Sequence, residues 1–266
     1  RYREIKDQLS TCHSIYITDS EENRSVMNQK STVNEGDSRA TLINPDDPAL
    51  MIYTAGLTGK PLGAVLTHHN LCEELNMIQP VFRREPDDIG LCLIPLFHSF
   101  GVTVNMLNVI QAGCSTVMMD RLTMDSLLST IERERITYIC AVPRLYVGMV
   151  LYEKTAKYDL SSLRLCVTGG SAMPPEFIPL FEQKLGVRIL EGYGLTEASP
   201  ACSFNRIELA AKPGSIGTAL TGIDIKIVDE AGQELPRNQV GEVILRGGNV
   251  MKGYFRNPQA SAKSLR

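Results

Sequence analysis

The sequence predicts an α/β fold in which parallel sheets are flanked by helices and a small antiparallel β subdomain follows. Three observations carry that expectation. Short β-branched runs at 15–18, 50–54, 89–94, 115–119, 136–142, 163–168 and 187–190 alternate with segments of helical period, as in strands joined by crossover helices. From residue 214 the pattern changes to a run at 223–229, a turn at Glu230-Ala231-Gly232 and a run at 241–246, the signature of antiparallel strands joined by a Gly turn. A length of 266 residues with 43% apolar and 21% charged side chains is enough to bury a sizeable core. The chain therefore divides, on sequence alone, into an α/β core over 1–204 and a β subdomain over 205–266.

Two helices are written clearly between the strands. Pro174-Pro175 opens one, because a missing N–H costs nothing in the first turn, and its periodicity puts Phe177, Leu180, Phe181 and Leu185 on one face. Asp125 is the expected N-cap of another, with Leu127, Leu128 and Ile131 turned inward and Glu132, Arg133 and Glu134 left to solvent. The stretch 144–152 reads equally as a helix packed on the sheet or as a pocket wall. Residues 21–47 are polar and aperiodic, an exposed connection.

Charge and cysteine usage exclude several classes. A net charge of -3 gives no electrostatic footprint for a polyphosphate backbone, so nucleic acid is not an expected partner. Seven scattered cysteines without a CxxC pair read as core thiols in a reducing compartment, and a cytoplasmic location follows as the expectation. His68-His69 stand before a helix with no carboxylate or thiol at ligand spacing and read as surface residues. No apolar run approaches a membrane span, which leaves peripheral membrane contact or a homo-oligomer open. The Arg1 start reads as a trimmed or partial chain.

The chemistry is concentrated in loops after strands. Tyr53-Thr54-Ala55-Gly56-Leu57-Thr58-Gly59-Lys60-Pro61-Leu62-Gly63 combines glycines that let backbone N–H groups curl toward an anion with hydroxyls and an ammonium, a composition suited to phosphate. It is not a Walker A loop, since Lys60 precedes Pro61 and Gly56 stands too near Gly59. Gly169-Gly170-Ser171 ends one strand run, where bare backbone lets a flat base approach the carboxyl edge of a sheet. Glu191-Gly192-Tyr193-Gly194-Leu195-Thr196-Glu197 ends the next and offers an aromatic face, a hydroxyl and a hard oxygen ligand.

Together these blocks resemble the adenylate-forming superfamily, of the acyl-CoA synthetase or fatty acid–CoA ligase type. The first loop is similar to its YTSGTTGxPKG signature, Pro95-Leu96-Phe97-His98-Ser99-Phe100-Gly101 to PLFHxxG, and Gly169-Gly170-Ser171-Ala172-Met173-Pro174 to GGAxLP. The run 191–197 is similar to GYGxTE, and 241–255 to the block ending VMxGY. The resemblance implies ATP-dependent activation of a carboxylic acid, most simply a fatty acid, to an acyl-adenylate, followed by transfer to coenzyme A. It implies ATP, Mg²⁺ and coenzyme A as cofactor and co-substrates. It assigns nucleotide binding to Thr54, Gly56, Thr58, Gly59, Lys60, Gly169, Gly170, Ser171, Glu191, Gly192, Tyr193, Gly194 and Thr196, catalysis to Thr196, Glu197 and His98, and Mg²⁺ to Glu197.

Two departures from the family pattern stand out. Ala55, Leu57 and Leu62 replace a Ser, a Thr and a Lys, removing two hydroxyls and one charge from the phosphate loop. The blocks also stop before the family's TGD segment, hinge and C-terminal lid, so the resemblance covers a partial large domain. Two other readings follow, a degenerate module that binds nucleotide or a partner without turnover, and an amino-acid-adenylating domain.

Overall fold

The computed structural model describes residues 43–54, 60–119, 122–210 and 212–265. The run at 15–18, most of the polar stretch 21–47, and Ala55, Gly56, Leu57, Thr58 and Gly59 lie outside the described residues.

A seven-stranded, mostly parallel sheet flanked by helices forms the frame, as expected of an acyl-CoA synthetase-like large domain. Its strands are β3 (Ile89–Cys92), β4 (Ser115–Met118), β5 (Tyr138–Ala141), β6 (Leu165–Thr168), β7 (Ile189–Gly194), β8 (Ala201–Phe204) and β9 (Thr218–Ala219), in the order β4-β3-β5-β6-β7-β8-β9. The first five are parallel, while β8 and β9 are antiparallel additions. β5 and β6 are buried along their whole length, which explains why 136–142 and 163–168 read as apolar runs without alternation, and β8, also fully buried, carries no such run in the sequence reading.

The run at 50–54 does not join that sheet. It belongs to β1 (Pro48–Thr54), which pairs antiparallel with β2 (Leu62–Thr67), and β12 (Gly253–Tyr254) closes a three-stranded sheet on the other side of β2. The antiparallel hairpin read from the turn at 230–232 is present as β10 (Asp224–Val228) and β11 (Glu242–Arg246), and its partly buried residues alternate as a one-sided sheet requires. Beyond residue 204 the chain thus supplies strands to all three sheets.

Helices cover both faces of the large sheet. On one side α3 (Met124–Glu134), α4 (Pro143–Leu151) and α5 (Phe177–Leu185) enclose a core that includes Leu127, Leu128, Ile131, Tyr146, Met149 and Phe181. The Tyr146 hydroxyl reaches the carbonyl oxygens of Ile139 (2.9 Å) and Val167 (2.8 Å), and its ring meets Phe181 edge-on at 5.3 Å, so α4 is a core helix. On the other side α1 (His68–Phe82), a widened π-helical segment Gly101–Leu107 and α2 (Asn108–Ala112) cover Cys140, Val167 and Leu190.

Two helix details differ from the sequence expectation. Leu180 is 45% exposed, and Ile178 takes its place beside Phe181 in the core. At about 100° per residue, 177, 178, 181 and 185 cluster, whereas 180 falls roughly a third of a turn away. Thr123, not Asp125, caps α3, through a reciprocal pair with Ser126, and Asp125 sits in the first turn where its charge suits the helix dipole. The short α6 (Pro258–Ser264) follows β12.

The amino edge of the parallel sheet is tied shut. Asp88, just before β3, accepts hydrogen bonds from Arg164 (2.7 Å from Nε to Oδ1), just before β6, and from the Thr137 hydroxyl (2.7 Å), just before β5. Burial opposes ionisation of Asp88, yet these donors outweigh it and hold the carboxyl below its ordinary range.

Candidate active site

At the opposite, carboxyl edge of the sheet, β6 and β7 end side by side and their loops enclose a cavity of about 140 Å³. Its walls include Gly169 and Gly170 after β6, Gly192, Tyr193, Gly194, Leu195 and Thr196 from β7 and the turn beyond, and His98, Ser99, Phe100 and Val104 from the loop and helix following β3. Pro200, Ala201 and Phe204 complete it.

Local sequence explains why this edge stays open. Gly170 adopts φ +82°, a backbone conformation that a side chain resists, so the strand turns off without covering its neighbour. A Cβ on Gly192 would overlap the buried Phe204 ring, so glycine leaves that ring its place against β7. Tyr193 is half-buried with its ring on the cavity wall, and burial pushes its phenol above the ordinary range, keeping it a neutral stacking face.

Polar groups converge on the same space. The hydroxyls of Ser99 and Thr196 lie 3.2 Å apart, linking the PLFHSFG loop to the β7 turn. His98 is exposed at the rim, and its Nδ1 accepts the Phe100 N–H at 3.1 Å, which leaves Nε2 as the nitrogen free to face a ligand. Glu197 is half-buried, and its Oε1 accepts the Tyr254 O–H at 2.7 Å. Burial, then that hydrogen bond to a carboxylate, pushes the Tyr254 phenol up to about 12.

The structure brings together Gly169, Gly170, Gly192, Tyr193, Gly194, Thr196 and His98 as the sequence reading grouped them, with Glu197 adjacent in the chain. Glu191 sits differently. It is 4% exposed beneath the loop after β6, where its Oε1 accepts the Met173 N–H at 2.9 Å, so it supports the shelf from below. Ser171 is exposed and is not part of the cavity wall, and neither are Thr54 and Lys60, which flank the segment 55–59. Gly56, Thr58 and Gly59 lie outside the described residues. Sequence reasoning missed Ser99, Phe100, Val104, Phe204 and Tyr254. Ser99 and Phe100 adjoin His98 within the same quoted block, and Tyr254 lies in the VMKGY block, so the motifs themselves were the available signal.

Glu197 suits a magnesium ion by chemistry: a hard carboxylate oxygen whose Oε2 has no hydrogen-bond partner among the described residues. Among the described residues no group of three or more His, Cys, Asp or Glu is placed to hold a metal.

Comparison with known families decides the assignment: the AMP-binding enzyme family model matches residues 2–255. The chain belongs to the AMP-binding enzyme family. It is 35% identical over 233 residues to 4-coumarate-CoA ligase 1 of Narcissus pseudonarcissus, covering 84% of this chain and 43% of that relative. Among solved structures it is similar to the anthranilate CoA ligase AuaEII in complex with anthranoyl-AMP, at TM-score 0.77 and 29% identity, over 83% of this chain and 43% of that one. A long-chain-fatty-acid-CoA ligase (FadD1) from Archaeoglobus fulgidus gives TM-score 0.75 and 27% identity, over 83% and 46%. The chain therefore spans less than half the length of these relatives.

Proposed function

We propose that this chain holds the adenylate in an acid–thiol ligase that joins a carboxylic acid to ATP, releasing pyrophosphate, and then passes the acyl group to coenzyme A. The observation that carries the reading is the cavity at the ends of β6 and β7, where a glycine shelf, a tyrosine face and the Thr196 hydroxyl meet at the carboxyl edge where open α/β sheets bind ligands.

In this reading Gly169 and Gly170 receive the adenine edge and Tyr193 stacks on it. Thr196, oriented by Ser99, donates to the α-phosphate. Glu197 would supply an oxygen to Mg²⁺, which neutralises phosphate charge when bound. His98, through Nε2, faces the acyl and phosphate groups. Phe100, Val104 and Phe204 give the cavity an apolar side, which suits an acid with an apolar body, a fatty or an aryl acid. The similarity to ligases named for 4-coumarate, anthranilate and long-chain fatty acids supports the acid class and spans both kinds of tail.

The test is equilibrium binding of AMP, and of acyl-AMP analogues with octanoyl and coumaroyl tails, to the purified chain. Both analogues should bind more tightly than AMP, and the better tail identifies the acid. Failure of AMP and both analogues to bind would reject the reading and leave the degenerate module, which the loss of donors at Ala55, Leu57 and Leu62 favours.

A further inference from the structure

Glu74 is the one carboxylate of the described fold with no surface exposure at all, 0%, and no cation reaches it among the described residues. It projects from α1 toward the underside of the turn that carries Thr196 and Glu197. Its Oε1 accepts the Ala201 N–H at 3.0 Å and its Oε2 the Asn249 side-chain amide at 2.9 Å. The same amide nitrogen also faces the carbonyl oxygens of Ala198 (2.8 Å) and Ala201 (2.9 Å), so three acceptors compete for two hydrogens. Asn249 Oδ1, meanwhile, is buried with no partner. Three acceptors around two hydrogens, at a fully buried carboxyl that no cation reaches, is an imbalance that a proton on Glu74 relieves by turning one acceptor into a donor.

The surrounding contacts show what this pair holds. One turn earlier on α1, Asn70 donates to the carbonyl oxygens of Gly248 and Val250, each at 2.8 Å, fastening segment 247–251 to the helix. That segment grips the active-site turn from the other side. The Ser199 hydroxyl donates to Asn249 O at 2.7 Å, and the Met251 N–H donates to Glu197 O at 2.8 Å. Ser199 itself is held at φ +66°, a strained conformation for a non-glycine residue that persists only where neighbours enforce it.

We propose that Glu74, as the neutral acid, and Asn249 form a buried latch that positions the Thr196–Glu197 turn, and that ionisation of Glu74 at alkaline pH loosens it. Both are positioning residues, since neither lines the cavity. The proposal rests on the ligase reading only in its final link, from turn position to nucleotide affinity. Burial raises the Glu74 carboxyl to about 8, against smaller opposing hydrogen bonds from Asn249 and Ala201, in keeping with the geometry. Because the folded value is raised, the latch's contribution is full below the ordinary carboxylate range and is lost as pH rises through about 8.

Few other ionisable groups surround it. From β8 the Cys202 thiol faces Glu74 and is pushed up to about 12 by burial and by that carboxyl, so it does not titrate in the same window. The active-site turn contributes Glu197, engaged with Tyr254, and α1 contributes Glu73, whose side chain lies against Gly248. Lys252, next to the clamped segment, is turned to the surface and donates to Asp46 O.

Hydrogen exchange of the chain, corrected for the chemical pH dependence of exchange, tests the latch without any ligand. Protection of the Ala201 and Met251 amides should fall by about tenfold or more between about pH 7 and pH 9.5, while β5 stays protected. Glu74→Gln, a mimic of the neutral acid, should keep protection across that range, and Asn249→Ala should lack it at both ends. AMP affinity should follow the same pattern, weakening about threefold or more at alkaline pH in the wild type only. Unprotected amides in Glu74→Gln at neutral pH would show that the charged carboxylate is the holding form and overturn the proposal. So would wild-type protection that is flat with pH, a readout that does not depend on the variant folding. Protection behaving as described in a chain that binds neither AMP nor either acyl-AMP analogue would sink the ligase reading and leave the latch standing.

Discussion

The two edges of the parallel sheet are built to opposite ends. At the amino edge, Asp88, Thr137 and Arg164 link the starts of β3, β5 and β6 with charge-assisted hydrogen bonds, and nothing is left for a ligand. At the carboxyl edge, glycines replace side chains after β6 and at the end of β7, and a cavity remains. Strand direction accounts for the difference: loops leaving the carboxyl ends diverge toward helices on opposite faces and open a crevice between them. If the cavity is the binding site, stability and binding draw on opposite edges of the sheet, so the two should separate under mutation.

Asp88→Ala gives the largest expected effect. It strands Arg164 and Thr137 and should lower unfolding stability by about 2 to 3 kcal/mol, less than for a fully enclosed pair because 37% of the Arg164 side chain is exposed. Urea denaturation measures it, and AMP affinity under native conditions should hardly change. The wild type should lose the same increment in acid: the Asp88 carboxyl is depressed, so its contribution is present above the ordinary carboxylate range and disappears as pH falls through its folded value. A wild type and an Asp88→Ala variant with parallel acid-denaturation curves would break the comparison at this edge.

Gly192→Ala joins the two properties. The added methyl overlaps the buried Phe204 ring and must displace it, at about 1 to 3 kcal/mol of stability, and because Phe204 lines the cavity it also moves the cavity wall. A lower denaturation midpoint together with weakened AMP binding is expected. Unchanged affinity in a destabilised variant would place the nucleotide away from β7.

Tyr193→Ala is the smallest and sharpest case. Loss of a stacking face should weaken AMP by about 0.5 to 1.5 kcal/mol, roughly three- to tenfold, and alter stability by no more than about 0.5 kcal/mol because the ring is only half-buried. Titration calorimetry decides it. An affinity equal to that of the wild type would remove Tyr193 from the binding surface.

Much of this was legible in the linear chain. The central parallel strands announced themselves because a strand buried on both faces is apolar along nearly all its length, as at 138–141 and 165–167. The cavity residues stood in contiguous motifs, so Gly169, Gly170, Tyr193 and Thr196 were found together. Other features had no local signature. β9 and β12 are two residues long, too short for any period, and exist only because β8 and β2 offer them edges to pair with. Leu180 and Ile178 are equally apolar, so hydrophobicity does not separate them, although the helical angle that sets 178 with 177, 181 and 185 does.

By itself, then, the sequence determined the family, the strand-and-helix alternation and the identity of most groups that line the cavity, since each is written in residues adjacent along the chain or at a fixed period. Only the tertiary structure decided that β1 and β2 form a separate sheet, that Glu191 lies beneath the shelf, that Glu197 is held by Tyr254 and that Glu74 meets Asn249. Glu74 and Asn249 are 175 positions apart, and a buried polar contact at that separation leaves no mark on local propensity. It exists because packing of α1 against two loops excludes water from groups that must then satisfy one another.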